Sequence, residues 1–103
     1  MNDKLKTEAT DTLFKAILQL RSLEECYDFF EDLCTVNELQ SMSQRFEVAA
    51  MLKSDQTYLT IAAKTGASTA TISRVNRSLS YGNDGYDLVL NRMKEEEKKS
   101  EEA

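Results

Sequence analysis

Residues 57 to 79, Thr57-Tyr-Leu-Thr-Ile-Ala-Ala-Lys-Thr-Gly66-Ala-Ser-Thr-Ala-Thr-Ile-Ser-Arg-Val-Asn-Arg-Ser-Leu79, leave the backbone few choices. Gly66 stands between two short helical runs and can take the positive φ that ends a helix in a tight turn. Ala62, four residues earlier, has a side chain of one methyl and can sit where two helices cross closely. Ile61, Ile72 and Val75 are the apolar residues expected to face inward, and Ile72 and Val75 share one helix face. The segment reads as a helix-turn-helix. The outward side of its second helix, predicted over 68–79, then carries Ser68, Thr69, Ala70, Ser73, Arg74 and Arg77. These are small or polar groups able to approach base edges and phosphates.

An ordinary helical hairpin would also use alanines and a turn glycine. Its solvated face would normally mix Glu and Lys, yet no acid occurs between Asp55 and Asp84. Duplex DNA is therefore the expected partner, with Lys64, Ser68, Thr69, Ala70, Thr71, Ser73, Arg74 and Arg77 as the contacting set. Lys64, Arg77 and helix-end amides would hold phosphates, while Thr69, Ala70 and Ser73 would meet the bases. A methyl group can contact thymine, and a hydroxyl can donate or accept. Few long side chains face the groove, so part of the readout is expected through water.

The net charge of −5 argues against nucleic acid until its distribution is considered. Residues 1–38 carry nine acids and four bases, and residues 82–103 carry seven acids and four bases. Between them, Arg45, Lys53, Lys64, Arg74 and Arg77 outnumber Glu47 and Asp55, giving residues 39–81 a balance of +3. The one basic island coincides with the helix-turn-helix. Salt screens charges beyond roughly 8–10 Å, so phosphate attraction acts locally and the acidic ends limit non-specific binding.

A chain of 103 residues with no proline, three glycines and 41% apolar residues suits one small, mostly helical domain. Its modest supply of aromatics makes dimerisation a natural way to bury more apolar area. No apolar run approaches 18 residues and the N-terminus lacks an apolar signal core, so a cytoplasmic protein without a membrane association is expected. Cys26 and Cys34 lie eight apart in one apparent helix, roughly 12 Å between Cα atoms, too far for an intrachain bridge. They are expected to be buried reduced thiols. The chain has no histidine, hence no imidazole base and none of the commonest metal ligand. No nucleophile has an evident base. No enzyme activity, metal or cofactor is expected.

Six helices are expected. The first runs from about Thr10 to Leu20 with Leu13, Phe14, Ile17 and Leu18 on one stripe. Ser22 with Glu25 forms a capping-box pattern and opens the second, to about Cys34; Thr35 with Glu38 repeats it and opens the third, to about Lys53. Leu39, Met42, Phe46, Ala49 and Ala50 make the apolar face of the third. The helix-turn-helix, 57–80, supplies the fourth and fifth. Asp84 caps a sixth through Met93, and the charged tail 94–103 is expected to fray. Residues 1–93 thus form one domain, with 10–53 as dimerisation helices and 84–93 as a C-terminal helix.

The segment Leu33-Cys-Thr-Val-Asn-Glu-Leu-Gln-Ser-Met-Ser-Gln-Arg-Phe-Glu-Val48, followed by Thr65-Gly-Ala-Ser-Thr-Ala-Thr-Ile-Ser-Arg-Val-Asn-Arg-Ser-Leu79, resembles the tryptophan repressor family. The resemblance is greatest to its YerC/YecD group, which the stretches Leu23-Glu-Glu-Cys-Tyr27 and Tyr81-Gly-Asn-Asp84 also fit. It covers about Leu13 to Met93, and Gly66-Ala-Ser-Thr-Ala-Thr-Ile-Ser-Arg74 is its most specific part. The resemblance implies an all-α, six-helix, intertwined homodimer that presents one reading head per subunit to successive major grooves of a near-palindromic operator. It also implies an amino-acid corepressor site, with an indole held between two arginines. The matching positions here are Arg45 and Arg74, with Thr35, Thr71 and Ser78 as the pocket's hydroxyls.

Four positions depart from the family pattern. Val75 replaces a glycine and can fill space an indole needs. Val36 replaces a proline at the start of the third helix. Leu59 and Ala62 stand in a first reading helix that carries lysine in the repressor, so fewer DNA contacts are expected from it. The leading expectation is a dimeric, sequence-specific DNA-binding transcriptional regulator, a repressor. The alternatives are the same regulator gated by an amino acid, and a helical dimer whose head binds a protein partner.

Overall fold

Hydroxyl side chains start most of the helices, because each can accept one of the backbone N–H groups left free in a first helical turn. In a computed structural model, which describes residues 2–102, the elements are α1 (Glu8–Ile17), α2 (Leu23–Leu33), α3 (Val36–Lys53), α4 (Tyr58–Thr65), α5 (Thr69–Tyr81) and α6 (Gly85–Glu102). Thr7, Ser22, Thr57 and Ser68 cap α1, α2, α4 and α5 by accepting from the N–H three residues on. Thr35 does the same for α3, and its own N–H donates to Glu38 Oε1 at 2.9 Å, completing the reciprocal capping box. The Thr35 backbone N–H, with help from its hydroxyl, holds the Glu38 carboxyl below its ordinary value. At Ser22 the box is shifted by one residue: Glu25 Oε1 accepts from Arg21 N–H.

The chain divides into two compact units, one up to Leu39 and one from Gln40 onward. The first contains α1, α2 and the start of α3. Among its described residues none is buried. Leu18, Leu23 and Val36 are more than seven-tenths exposed, and Phe14 and Tyr27 more than half. Helix α1 ends three residues short of the expected Leu20, because after Leu18 the chain tightens: Gln19 N–H donates to the Ala16 carbonyl and Leu20 N–H to the Ile17 carbonyl, each three residues back. Cys26 and Cys34 are free thiols and half-buried.

The second unit holds the core. Val48, Ala49, Ile61, Ala67, Ile72 and Val75 are buried together, with Leu52, Ala62, Leu79 and Tyr86 packed against them. Helix α3 therefore contributes Val48 and Ala49, and Val48 lay outside the stripe expected for it. A Schellman motif ends α3: Gln56 N–H donates to the Met51 carbonyl and Asp55 N–H to the Leu52 carbonyl. Asp55 fills the left-handed position at φ 59. Asp84 precedes α6 at φ 61, and its carbonyl accepts the Leu88 N–H. Helix α6 continues along the charged tail to Glu102, past the fraying point expected near Lys94, with every described residue from Asn91 exposed. Among the described residues no helix is long and apolar enough to cross a membrane.

Candidate nucleic-acid interface

The turn between α4 and α5 is fixed by three local devices. Gly66 takes φ 74, and its N–H donates to the Ala62 carbonyl, as a left-handed cap requires. Thr65 Oγ1 donates to the Ile61 carbonyl and accepts from Ala67 N–H. Gln44, on α3, donates from Nε2 to the Thr65 carbonyl at 3.2 Å and satisfies one of the carbonyls left free at the end of α4. Ile61, Ile72 and Val75 are buried, as their spacing predicts, so the opposite faces of α4 and α5 are set by helical geometry.

On α5 that outward face exposes Thr69, Ala70, Ser73, Arg74 and Arg77, and Lys64 is exposed on α4. Among the described residues none of Lys64, Arg74 and Arg77 has an ion-pair partner. Lys53 differs: its Nζ lies 2.8 Å from Asp87 Oδ1, and this partner raises its pKa. The positive charge of the island is thus free on α4 and α5 and neutralised at the end of α3. Ser68 and Thr71 are occupied locally. Ser68 Oγ accepts Thr71 N–H and donates to Thr71 Oγ1, and Thr71 is half-buried.

One link between the two helices is invisible in sequence. Asn76 Nδ2, on α5, donates to the Tyr58 hydroxyl of α4 at 3.1 Å. It fixes the first turn of α4 alongside the middle of α5.

The expected ligand residues are less gathered. Thr71, Arg74 and Ser78 recur along one flank of α5. Arg45 is half-buried on α3, and the Thr35 hydroxyl caps α3. A cavity of about 540 Å³ opens between α3, the end of α5 and α6, where Phe46 and Tyr86 lie with ring centroids 6.3 Å apart. Of the five ligand positions only Ser78 lines it. Val75 is 2% exposed, packed in the core with Ile61 and Ile72, and is not among the residues that line this cavity.

The sequence profile of the Trp repressor protein family matches residues 8–94. The chain belongs to the Trp repressor family. It is 59% identical over 98 residues to the uncharacterised protein YerC of Bacillus subtilis (strain 168), spanning 95% of this chain and 94% of that protein. Two crystal structures superpose closely. A TrpR-like protein from Eubacterium eligens ATCC 27750 is 70% identical with a TM-score of 0.87, covering 89% of this chain and 95% of that one. A candidate Trp repressor from Staphylococcus aureus is 61% identical with a TM-score of 0.87, covering 89% and 92%. The six-helix, all-α architecture of this Trp repressor family member is therefore that of solved relatives.

Proposed function

We propose that this Trp repressor family member is a homodimeric, sequence-specific DNA-binding transcriptional regulator that acts as a repressor. The observation that carries the reading is the outward face of α5. It rests on a closed core of Ile61, Ile72 and Val75, carries no acid, and offers Thr69, Ala70 and Ser73 beside Arg74 and Arg77. Thr69, Ala70 and Ser73 meet bases; Lys64 and Arg77 meet phosphates, and Ser68 and Thr71 hold the start of α5 that approaches them. Family membership supports a DNA-binding role in place of an enzymatic one.

Dimerisation is supported by the apolar side chains that α1 and α2 leave open in a single chain, among them Phe14, Leu18, Leu23 and Tyr27. A second copy is the natural cover for stripes of this size. Regulation by an amino acid is the finer reading, and Arg45, Arg74, Thr35, Thr71 and Ser78 are the residues that the family resemblance offers for it; Val75 in place of the family's glycine directs it away from a flat indole and toward a smaller carboxylate.

The test is duplex binding as a function of salt. Affinity should fall linearly in log–log form, by a slope of about −0.9 for each phosphate neutralised. Arg77→Ala should weaken all sequences alike and reduce that slope by about 1. Absence of binding at low salt to any member of a random duplex pool would refute the reading. Binding to a protein partner that survives high salt would replace it with a protein-docking role.

A further inference from the structure

Leu59 is 83% exposed, on the second residue of an eight-residue helix. Its position around that helix can be placed from two fixed points. Ile61 points into the core, and Tyr58 meets Asn76 of α5 at the rim of the α4–α5 contact. At 3.6 residues per turn, the path around α4 runs from Ile61 at the core, through Tyr58 at the rim, to Leu59 on the outside. The same path around α5 runs from Ile72 at the core, through Asn76 at the rim, to Ser73 and Arg77 on the outside. Because the two rims are joined by one hydrogen bond, Leu59 emerges on the same side of the hairpin as Ser73 and Arg77.

We infer that Leu59 is a specificity residue that packs on the 5-methyl group of a thymine beside the bases met by α5. The inference rests on the DNA-reading role proposed above. An isobutyl group can neither donate nor accept, so the base feature it can recognise in the major groove is the methyl that thymine alone carries there among the four bases. Tyr58 and Asn76 are positioning residues for it, since they hold the first turn of α4 against α5. The surrounding arginines supply attraction to phosphates without regard to sequence, and Leu59 adds a preference.

Selection of bound duplexes by the full-length protein and by Leu59→Ala should differ at one thymine in each half-site, favoured by the wild type and relaxed in the variant. Replacing that thymine by deoxyuridine removes only the methyl and keeps the pairing. Wild-type affinity should then fall about fourfold, the effect of one methyl-sized group withdrawn from an apolar contact. Leu59→Ala should bind both duplexes equally, and its thermal unfolding should match the wild type because Leu59 is so exposed. Wild-type indifference to deoxyuridine at every thymine near the α5 site would overturn the inference while leaving the DNA-reading role intact. An equal loss in Leu59→Ala would do the same. If neither protein binds any duplex, the DNA-reading role fails and this inference fails with it.

Discussion

Gly66 and Gly82 both follow helices, yet they fail differently when a side chain is added. At Gly66 a Cβ would meet open space, and the difficulty is φ 74 alone. Gly66→Ala should therefore lower stability by about 1 kcal/mol, with Gly66→Asn less affected. At Gly82 a Cβ would collide with the Ser78 carbonyl oxygen, which is backbone and cannot swing away. Gly82→Ala should cost more than Gly66→Ala and should loosen the end of α5, as measured by chemical denaturation together with amide exchange at Ser78 to Gly82. Val75 makes a third case. L-tryptophan should bind weakly or not at all, since added methyl groups in a filled site cost about 1–3 kcal/mol. The chain has no Trp, so the anisotropy of added tryptophan reports binding without background. Saturation at micromolar tryptophan, lost in Arg45→Ala, would reverse this expectation, whereas a gain of binding in Val75→Gly would establish the steric cause.

At the scale of the helix, the caps were the most legible part of the sequence. Ser22–Glu25 and Thr35–Glu38 both have the capping-box spacing and both helices start there, but of the two only Thr35–Glu38 closes both halves of the bond. Thr7 is harder to read because Thr10 stands three residues on, where a capping box would carry Glu or Gln. Val48 was missed because α3 is used on more than one side, and a single stripe drawn through Leu39, Met42, Phe46 and Ala49 passes it by. The tail resisted reading for another reason: Glu and Lys favour both a solvated helix and a disordered chain, so composition does not separate them. Tyr58 and Asn76 are 18 residues apart, and only the crossing of α4 with α5 brings them together. The Schellman motif of α3 yields a direct expectation. Asp55 holds the left-handed position that glycine occupies without steric conflict, so Asp55→Gly should stabilise the protein by up to about 1 kcal/mol, partly offset by the extra freedom of the unfolded chain. A shift in the denaturation midpoint with an unchanged slope is the readout.

For the whole molecule, the proposed dimer should have a mass in solution of about twice 11.7 kDa. A stable folded monomer at micromolar concentration would contradict it. Phe30→Ala or Phe46→Ala should cost about 3–5 kcal/mol where association completes the burial of a ring that is half-buried in one chain. Sites selected from random DNA should be near-palindromic, with half-sites about 10 base pairs apart or a multiple of that. The contrast between an inner core from Val48 to Val75 and a first unit with no buried residue among those described has a consequence for how the protein responds to its own abundance. The α4–α5 core is buried by its own chain, whereas in the proposed dimer α1 and α2 would take their burial from another copy. Dilution should therefore speed deuterium uptake in α1 and α2 first and leave Ile61, Ile72 and Val75 protected. A cell holding few copies would contain well-formed heads that cannot be paired across two half-sites, and occupancy of an operator would rise with the square of the protomer concentration.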